Sequence, residues 1–269
     1  MYYLDGIRTE EKAFQNNAFL YGDAVKAHFF VRNSQLIMAE ECYFFLMASM
    51  RKMRMNIPLS FTLEFFTNLF NQAVQENHFQ NGIIDFLAFR NREDGFSVKT
   101  EVHFYFELKS NGEILSIKKE IEVDLIKEVT VNTNILSNIR THSPENIYAS
   151  IYAEENDLDE VILLNPEKRI ARTISGNLLL LEENNIKIPK QTEGAYISPL
   201  MENFVTFVFK NNMASIEESE LSAFESQKAE EILLISDEKG IFSVKQIRNK
   251  EFSNERFSTM VEAWKKSFA

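Results

Sequence analysis

An α/β (α+β) fold built as two units is predicted for this chain, and three observations predict it. Strand-like and helix-like segments alternate through both halves. The 269 residues, 45% of them hydrophobic, are enough for one large core or two modest ones. A polar join at Asn132-Thr133-Asn134 separates two stretches that each carry strands and helices of their own. The expected division is a small N-terminal unit, residues 1–120, and a larger C-terminal one, residues 121–269, with a cleft between them.

In chain order, the apolar run Ala27 to Val31 reads as a strand and Ala39 to Met55 as a helix that stops before Ile57-Pro58, because a residue preceding proline avoids helical geometry. A second helix is expected from a Ser60 cap to Glu76. Ile83–Arg90 and Val98–Leu108, rich in β-branched and aromatic residues, read as a hairpin around the loop Asn91-Arg92-Glu93-Asp94-Gly95. Ser143-Pro144 is a cap and first-turn pair for a helix reaching Asn156. Strands then follow at Val161–Leu164, Leu178–Leu181, Glu231–Ile235 and Ile241–Ile247, with helices at Pro199–Asn211 and Asn254–Phe268.

Composition narrows the function classes. Forty acidic against 29 basic residues give a formal charge of -11, which repels nucleic acid and anionic membrane surfaces, and lysines and arginines are scattered without a basic patch. No apolar run approaches membrane-spanning length, and Met1-Tyr2-Tyr3-Leu4-Asp5 lacks the basic-then-apolar pattern of a signal segment. With Cys42 as the one cysteine, no intramolecular disulfide is possible, and a cytoplasmic location is expected. His28, His78, His103 and His142 have no metal-ligand spacing, so no metal is expected, and no serine, histidine and aspartate stand in a nucleophile motif. The 24 phenylalanines suggest polar positions converted to core.

The densest motif information lies between Arg140 and Pro189. Asp159 to Leu164 (DEVILL), then Asn165-Pro166-Glu167-Lys168, then Ser175-Gly176-Asn177, resemble the class IV aminotransferases, the pyridoxal phosphate enzymes of fold type IV. That family includes branched-chain and D-amino acid aminotransferases and aminodeoxychorismate lyase. The resemblance spans nearly the whole chain and implies the family's two-domain fold, with the site in the interdomain cleft. It also places the family's Schiff-base lysine at Arg140, its pyridine-facing glutamate at Arg172 and its phosphate-gripping arginine at Phe45. Arg140 lies 95 residues after Phe45 and Arg172 a further 32, intervals that fit the family pattern.

The residue types at these positions do not suit that chemistry. A guanidinium with a pKa above about 12 does not lose its proton to attack a carbonyl, a cation at Arg172 opposes a protonated pyridine nitrogen, and a phenyl ring cannot clamp a phosphate. Gly22-Asp23-Ala24-Val25-Lys26-Ala27 keeps the family's Gly-Asp turn but not the aromatic and glutamate that follow it. Cys42 stands at the family histidine, and Pro199 and Leu200 at the helix start offer neither the N–H nor the hydroxyl of the phosphate cup. Ser236 keeps a hydroxyl in the last wall, followed by Asp237 and Glu238, whose charge opposes a phosphate. Lys127, the nearest upstream lysine, would reach the 140 slot only through an insertion of about a dozen residues.

The expectation is therefore a non-catalytic member of the family, with no catalytic residue, no bound cofactor where the family has pyridoxal phosphate, and a remnant cleft of Phe45, Ser175, Gly176, Asn177, Ser198 and Ser236. Phe45, Cys42 and Leu200 are expected to fill core, and Arg140 and Arg172 to pair with acids such as Glu167 or Glu193 or to be solvated. The alternatives are a working pyridoxal phosphate transaminase or lyase whose lysine lies elsewhere, and a cofactor-free enzyme in a remodelled cleft. The resemblance implies a homodimer; an active relative as hetero-partner is the other assembly considered.

Overall fold

The computed structural model describes residues 2–4, 7–9, 16–91, 96, 97 and 99–268. Met1 and Asp5 of the N-terminal segment, residues 92–95 of the expected hairpin loop and Val98 lie outside the described residues. The chain opens with a two-stranded ribbon, β1 (Tyr2–Leu4) and β2 (Ile7–Thr9), and a short helix α1 (Asn17–Tyr21). Gly22 ends that helix with φ +65°, where a Cβ would lie 2.5 Å from the His142 Cβ, so the Gly-Asp turn requires its glycine on two counts.

A four-stranded antiparallel sheet follows, ordered β4-β3-β5-β6, from β3 (Ala24–Arg32), β4 (Gln35–Ile37), β5 (Gly82–Arg90) and β6 (Val102–Ser110). Two helices connect its halves. In α2 (Ala39–Lys52), Glu40 and Glu41 lie in the first turn and Arg51 and Lys52 in the last, matching the helix dipole. It stops three residues before the expected Met55, because Arg54 turns left-handed at φ 52°. In α3 (Leu63–Glu76) the cap is Thr62, whose hydroxyl accepts the Phe65 N–H at 3.1 Å, and not Ser60, whose carbonyl instead closes a turn with Thr62 N.

The larger sheet has nine strands. Its order is β12-β11-β10-β13-β14-β7-β8-β9, with β15 paired to β14. The elements are β7 (Ile117–Thr130), α4 (Pro144–Glu155), β8 (Glu160–Leu164), β9 (Ile170–Thr173), β10 (Asn177–Glu182), β11 (Asn185–Pro189), α5 (Pro199–Lys210), β12 (Ser215–Ser219), α6 (Ala223–Ser226), β13 (Glu231–Ser236), β14 (Gly240–Ile247), β15 (Lys250–Glu251) and α7 (Glu255–Lys266). Ser143 caps α4 through the Asn146 N–H, with Pro144 in the first turn. The β7-α4-β8 unit is a parallel crossover, and α4 covers β7 and β8 through Ala149, Ala153, Val161 and Leu163.

Alternate residues of the sheet serve different cores. Leu179, Leu181, Leu233 and Ile235 face a large cluster shared with α2, α3, α5, α7 and the small sheet, while Leu178, Leu180, Ile232 and Leu234 face a second one. No described helix is long and apolar enough to cross a membrane.

Candidate functional site

Loops and strand ends bring the site together around Tyr196, the residue two before the cap of α5. Arg140 precedes α4, and its carbonyl accepts the Lys26 N–H at 2.8 Å, which ties this segment to β3. Arg172 projects from β9, and the Ser175-Gly176-Asn177 turn leads into β10. Both guanidinium carbons lie 4.3 Å from the Tyr196 ring centroid. Asn177 holds the Tyr196 backbone from both sides, donating to its carbonyl at 2.8 Å and accepting its N–H at 3.0 Å. Asn146 donates to the phenol oxygen at 2.8 Å.

The two arginines are together, but among the described residues neither forms a salt bridge with an acid. Arg172 donates to the Gly194 carbonyl at 3.0 Å, the Ser137 carbonyl at 3.3 Å and Asn146 Oδ1 at 3.3 Å. Glu193, one expected partner, instead accepts from Asn165 at 2.6 Å and from Arg169 at 3.2 Å. Arg140 and Arg172 are only 6% and 5% exposed, so solvation does not replace the missing carboxylates. Burial, reinforced by the neighbouring Arg140 charge and opposed by Tyr196, pushes the Arg172 pKa down.

A cavity of about 460 Å³ opens in front of Arg140, lined also by Lys26, His142, Ser175, Tyr196 and Lys239, with Glu238 at its wall. Lys26 Nζ stands 3.3 Å from Asp85 and 3.4 Å from Glu238, and Lys239 Nζ is 2.8 Å from the buried Glu160. Burial opposes ionisation of Glu238, but the charges of His28, Lys26 and Arg140 outweigh it and hold the carboxyl below the usual range.

Of the expected remnant cleft, only Ser175 lines this cavity. Phe45 lines a different one, of about 560 Å³, between α2 and α5, with Ile139, Ile197 and Pro199, because the α2 face that carries it turns toward α5. Asn177 is engaged by Tyr196, and Gly176 packs on the Ile235 carbonyl. Ser236 donates to the Ser175 carbonyl at 2.7 Å, the same oxygen that accepts Arg140 Nη2 at 2.6 Å. Ser198 caps α5 and donates to Asp237 Oδ1 at 2.7 Å, and that oxygen also accepts the Leu200 N–H at 3.2 Å. An internal carboxylate thus answers the α5 start. Cys42 and Leu200 are wholly buried in the large core, where Phe45 is also counted.

Sequence spacing gave no sign of the cluster on β3, β5 and the turn after β13. His28 Nε2 lies 3.4 Å from Asp85 Oδ1, and one ligand atom each from His28, Asp85 and Glu238 fall within 4.8 Å of one another. The Lys26 ammonium already bridges the two carboxylates, and Lys109 binds Asp85, so cationic groups of the chain serve the acids of this cluster. Burial works against the Asp85 carboxylate, while His28, Lys109 and Lys26 outweigh it and hold its pKa well below the usual range. A depressed pKa contributes stability above the unfolded value, about 3.9, that is lost as pH falls toward the folded one. Asp85→Asn should therefore cost about 1–3 kcal/mol at neutral pH, and its deficit should shrink as pH falls below 4. Thermal melts of both proteins across the acid range check this; a pH-independent deficit would contradict it.

The sequence model of the family described as "Amino-transferase class IV" matches residues 32–247. No curated protein matches the chain. Among solved structures, a putative 4-amino-4-deoxychorismate lyase of Legionella pneumophila superposes with a TM-score of 0.83 at 18% identity, over 98% of this chain and 97% of that one. A branched-chain aminotransferase of Thermoproteus uzoniensis gives 0.85 at 16% identity, covering 98% and 93%. A hypothetical aminotransferase of Mycobacterium tuberculosis in its pyridoxal phosphate-bound form gives 0.82 at 13% identity, covering 99% and 96%.

These matches correct the expectation that no cofactor goes with this chain, since a neighbour of the same fold, aligned along nearly its whole length, carries pyridoxal phosphate. What the residues here do not fit is attachment of that cofactor at position 140, where the side chain is a guanidinium committed to the Ser175 carbonyl. Nor do they fit a phosphate at the start of α5, where Asp237 takes the Leu200 N–H. Non-covalent occupancy of the Arg140 cavity is a separate matter, and the cations on its wall suit an anionic guest.

Proposed function

Because the chain belongs to the class IV aminotransferase family, we propose that it keeps the family's cleft as a binding site and performs no transamination or lyase chemistry through residue 140. The observation that carries this reading is Arg140 itself, buried, stacked on Tyr196 and hydrogen-bonded to Ser175 where the family pattern calls for lysine. A guanidinium held in this way keeps its proton and forms no bond to an aldehyde. Pyridoxal phosphate is the family's cofactor and belongs among the guests to be tested, with Arg140, Lys26 and Lys239 as the cations that would meet its phosphate. When bound covalently in the family, that cofactor supplies an electron sink; here the chain's residues would bind and orient it only.

One observation favours a second reading, a pyridoxal phosphate enzyme with a relocated lysine. Lys26 and Lys239 both reach the cavity as primary amines. Each is already engaged in ion pairs, Lys26 with Asp85 and Glu238 and Lys239 with Glu160, contacts that it would have to give up to attack an aldehyde. The test is borohydride reduction of the protein after incubation with pyridoxal phosphate, followed by peptide mapping and an assay for amino-group transfer. No stoichiometric adduct on a cleft lysine and no turnover are expected. An adduct on Lys26 or Lys239 accompanied by turnover would replace the first reading with the second.

The reading extends to organisation. A two-domain division near residue 120 is supported by the split of strands between the two sheets, the small one within 24–110 and the large one within 117–251. A homodimer is supported by family membership and by exposed apolar groups on α1, Phe19, Leu20 and Tyr21. A cytoplasmic location agrees with a single, buried thiol at Cys42.

A further inference from the structure

We propose that the cavity in front of Arg140 binds the oxyanion of a small organic molecule, carboxylate or phosphate, and that Arg140 anchors that oxyanion in the place the family gives to its lysine. The proposal rests on the reading that residue 140 forms no covalent bond to a cofactor.

Charge carries the first part of the argument. A buried cation is costly unless a counter-charge or a full set of acceptors compensates it. Among the described residues neither Arg140 nor Arg172 forms a salt bridge, Glu238 and Glu145 acting on them only at longer range, yet both are buried beside the same tyrosine. They differ in what serves them. Arg172 reaches three acceptors, two carbonyls and an amide oxygen. Arg140, with five N–H donors, makes one side-chain hydrogen bond among the described residues, to Ser175; the Nε of each arginine lacks an acceptor, so the difference lies in the terminal nitrogens. The under-served guanidinium lines a cavity of about 460 Å³ beside Tyr196, whereas the one beside Arg172 measures about 200 Å³.

The rest of the wall agrees. Lys26 and Lys239 also line it but are each ion-paired, Lys26 with Asp85 and with Glu238, the one carboxylate on the wall, and Lys239 with Glu160, which leaves Arg140 as the wall's cation without a salt bridge among the described residues. Leu87, Ile147 and Ile174 give the guest's body an apolar surface, so the site suits a small molecule with a charged end and a hydrophobic one. A guanidinium edge pairs with the two oxygens of a carboxylate or of a phosphate in the same geometry, which is why both belong to one proposal.

Benzoate, phenyl phosphate and benzyl alcohol share one apolar body and differ in the charged group. Calorimetric titration of the full chain at matched ionic strength, without pyridoxal phosphate, should give dissociation constants below about 1 mM for at least one anion and no binding of the alcohol. Binding of benzoate alone identifies a carboxylate site, of phenyl phosphate alone a phosphate site, and of both a general oxyanion site. Arg140→Met should weaken the anion about tenfold or more, and Arg140→Lys should restore most of the affinity. If Arg140→Met does not fold, Ile147→Trp decides, because it closes the cavity from the half-exposed face of α4 without touching Arg140. Equal binding of benzyl alcohol, no anion binding, or unchanged affinity in Arg140→Met or Ile147→Trp would overturn the proposal. A lysine adduct with turnover would sink the reading above and leave the anion titration standing, whereas silent titrations with no adduct would sink this proposal alone.

Discussion

Gly176→Ala is expected to destabilise the protein by about 3 kcal/mol or more, or to prevent folding, as judged by the urea midpoint. A Cβ at this position would lie 2.2 Å from the Ile235 carbonyl oxygen, 2.8 Å from its carbon and 2.9 Å from the Ser236 Cα. All three are backbone atoms, so no rotamer change relieves the clash and the strands must part. The damage would fall where β10 and β13 begin to pair, at Asn177 opposite Ile235. It would also displace the Ser175 carbonyl, on which both Arg140 and Ser236 converge, so any folded fraction should bind anions more weakly than the native chain. An unchanged midpoint would mean that the two strands lie farther apart than described.

The second large effect concerns the aromatic core of the small sheet. Phe66, 1% exposed on α3, has ring neighbours at 5.1–6.4 Å in Tyr43, Phe61, Phe65, Phe70, Phe86 and Phe104. Phe66→Ala should cost about 3–5 kcal/mol, the transfer loss plus a cavity that rigid rings on every side cannot collapse to fill. Phe66→Leu should recover more than half of that by returning most of the volume. Chemical denaturation of the three proteins gives the comparison directly. Equal stability of Phe66→Ala and the native protein would show the ring cluster to be packed loosely enough to close over the gap.

Local chemistry was legible where a residue type has one structural use. Ser143-Pro144 marks the start of α4 because a hydroxyl cap followed by a proline suits nothing else so well. Ser60 was a poorer guide than Thr62, since either hydroxyl can cap and only the turn from Pro58 decides between them. Strand β7 was missed although Ile121, Val123 and Leu125 alternate with Glu120, Glu122 and Asp124; that period of two was the available signal. Strand β12, Ser-Ile-Glu-Glu-Ser, carries no such signal, being a mostly polar strand at the sheet edge.

At the site, the resemblance put Arg140 and Arg172 in one cleft, and both stand beside Tyr196. Tyr196 itself carried no signal, because its contact with both guanidiniums depends on how the loop before α5 folds over β9 and β10. The same holds for His28, Asp85 and Glu238, which come from distant points of the chain and meet only through sheet pairing and the turn after β13. Placing Phe45 in the cleft followed from the resemblance alone, and the helix face turned it elsewhere.

The large core passes without a break from Phe29 and Phe86 under the small sheet, through Leu46, Leu200 and Phe204, to Ile235 and Trp264. The two sheets, although they divide the strands between them, thus share one apolar interior. The walls of the Arg140 cavity cannot swing apart like jaws on a hinge unless that shared interior is torn open and wetted. Admission of a guest is left to the rim, where Lys26, His142 and Lys239 can change rotamer in nanoseconds, and the scaffold behind them acts as a fixed mould rather than a clasp.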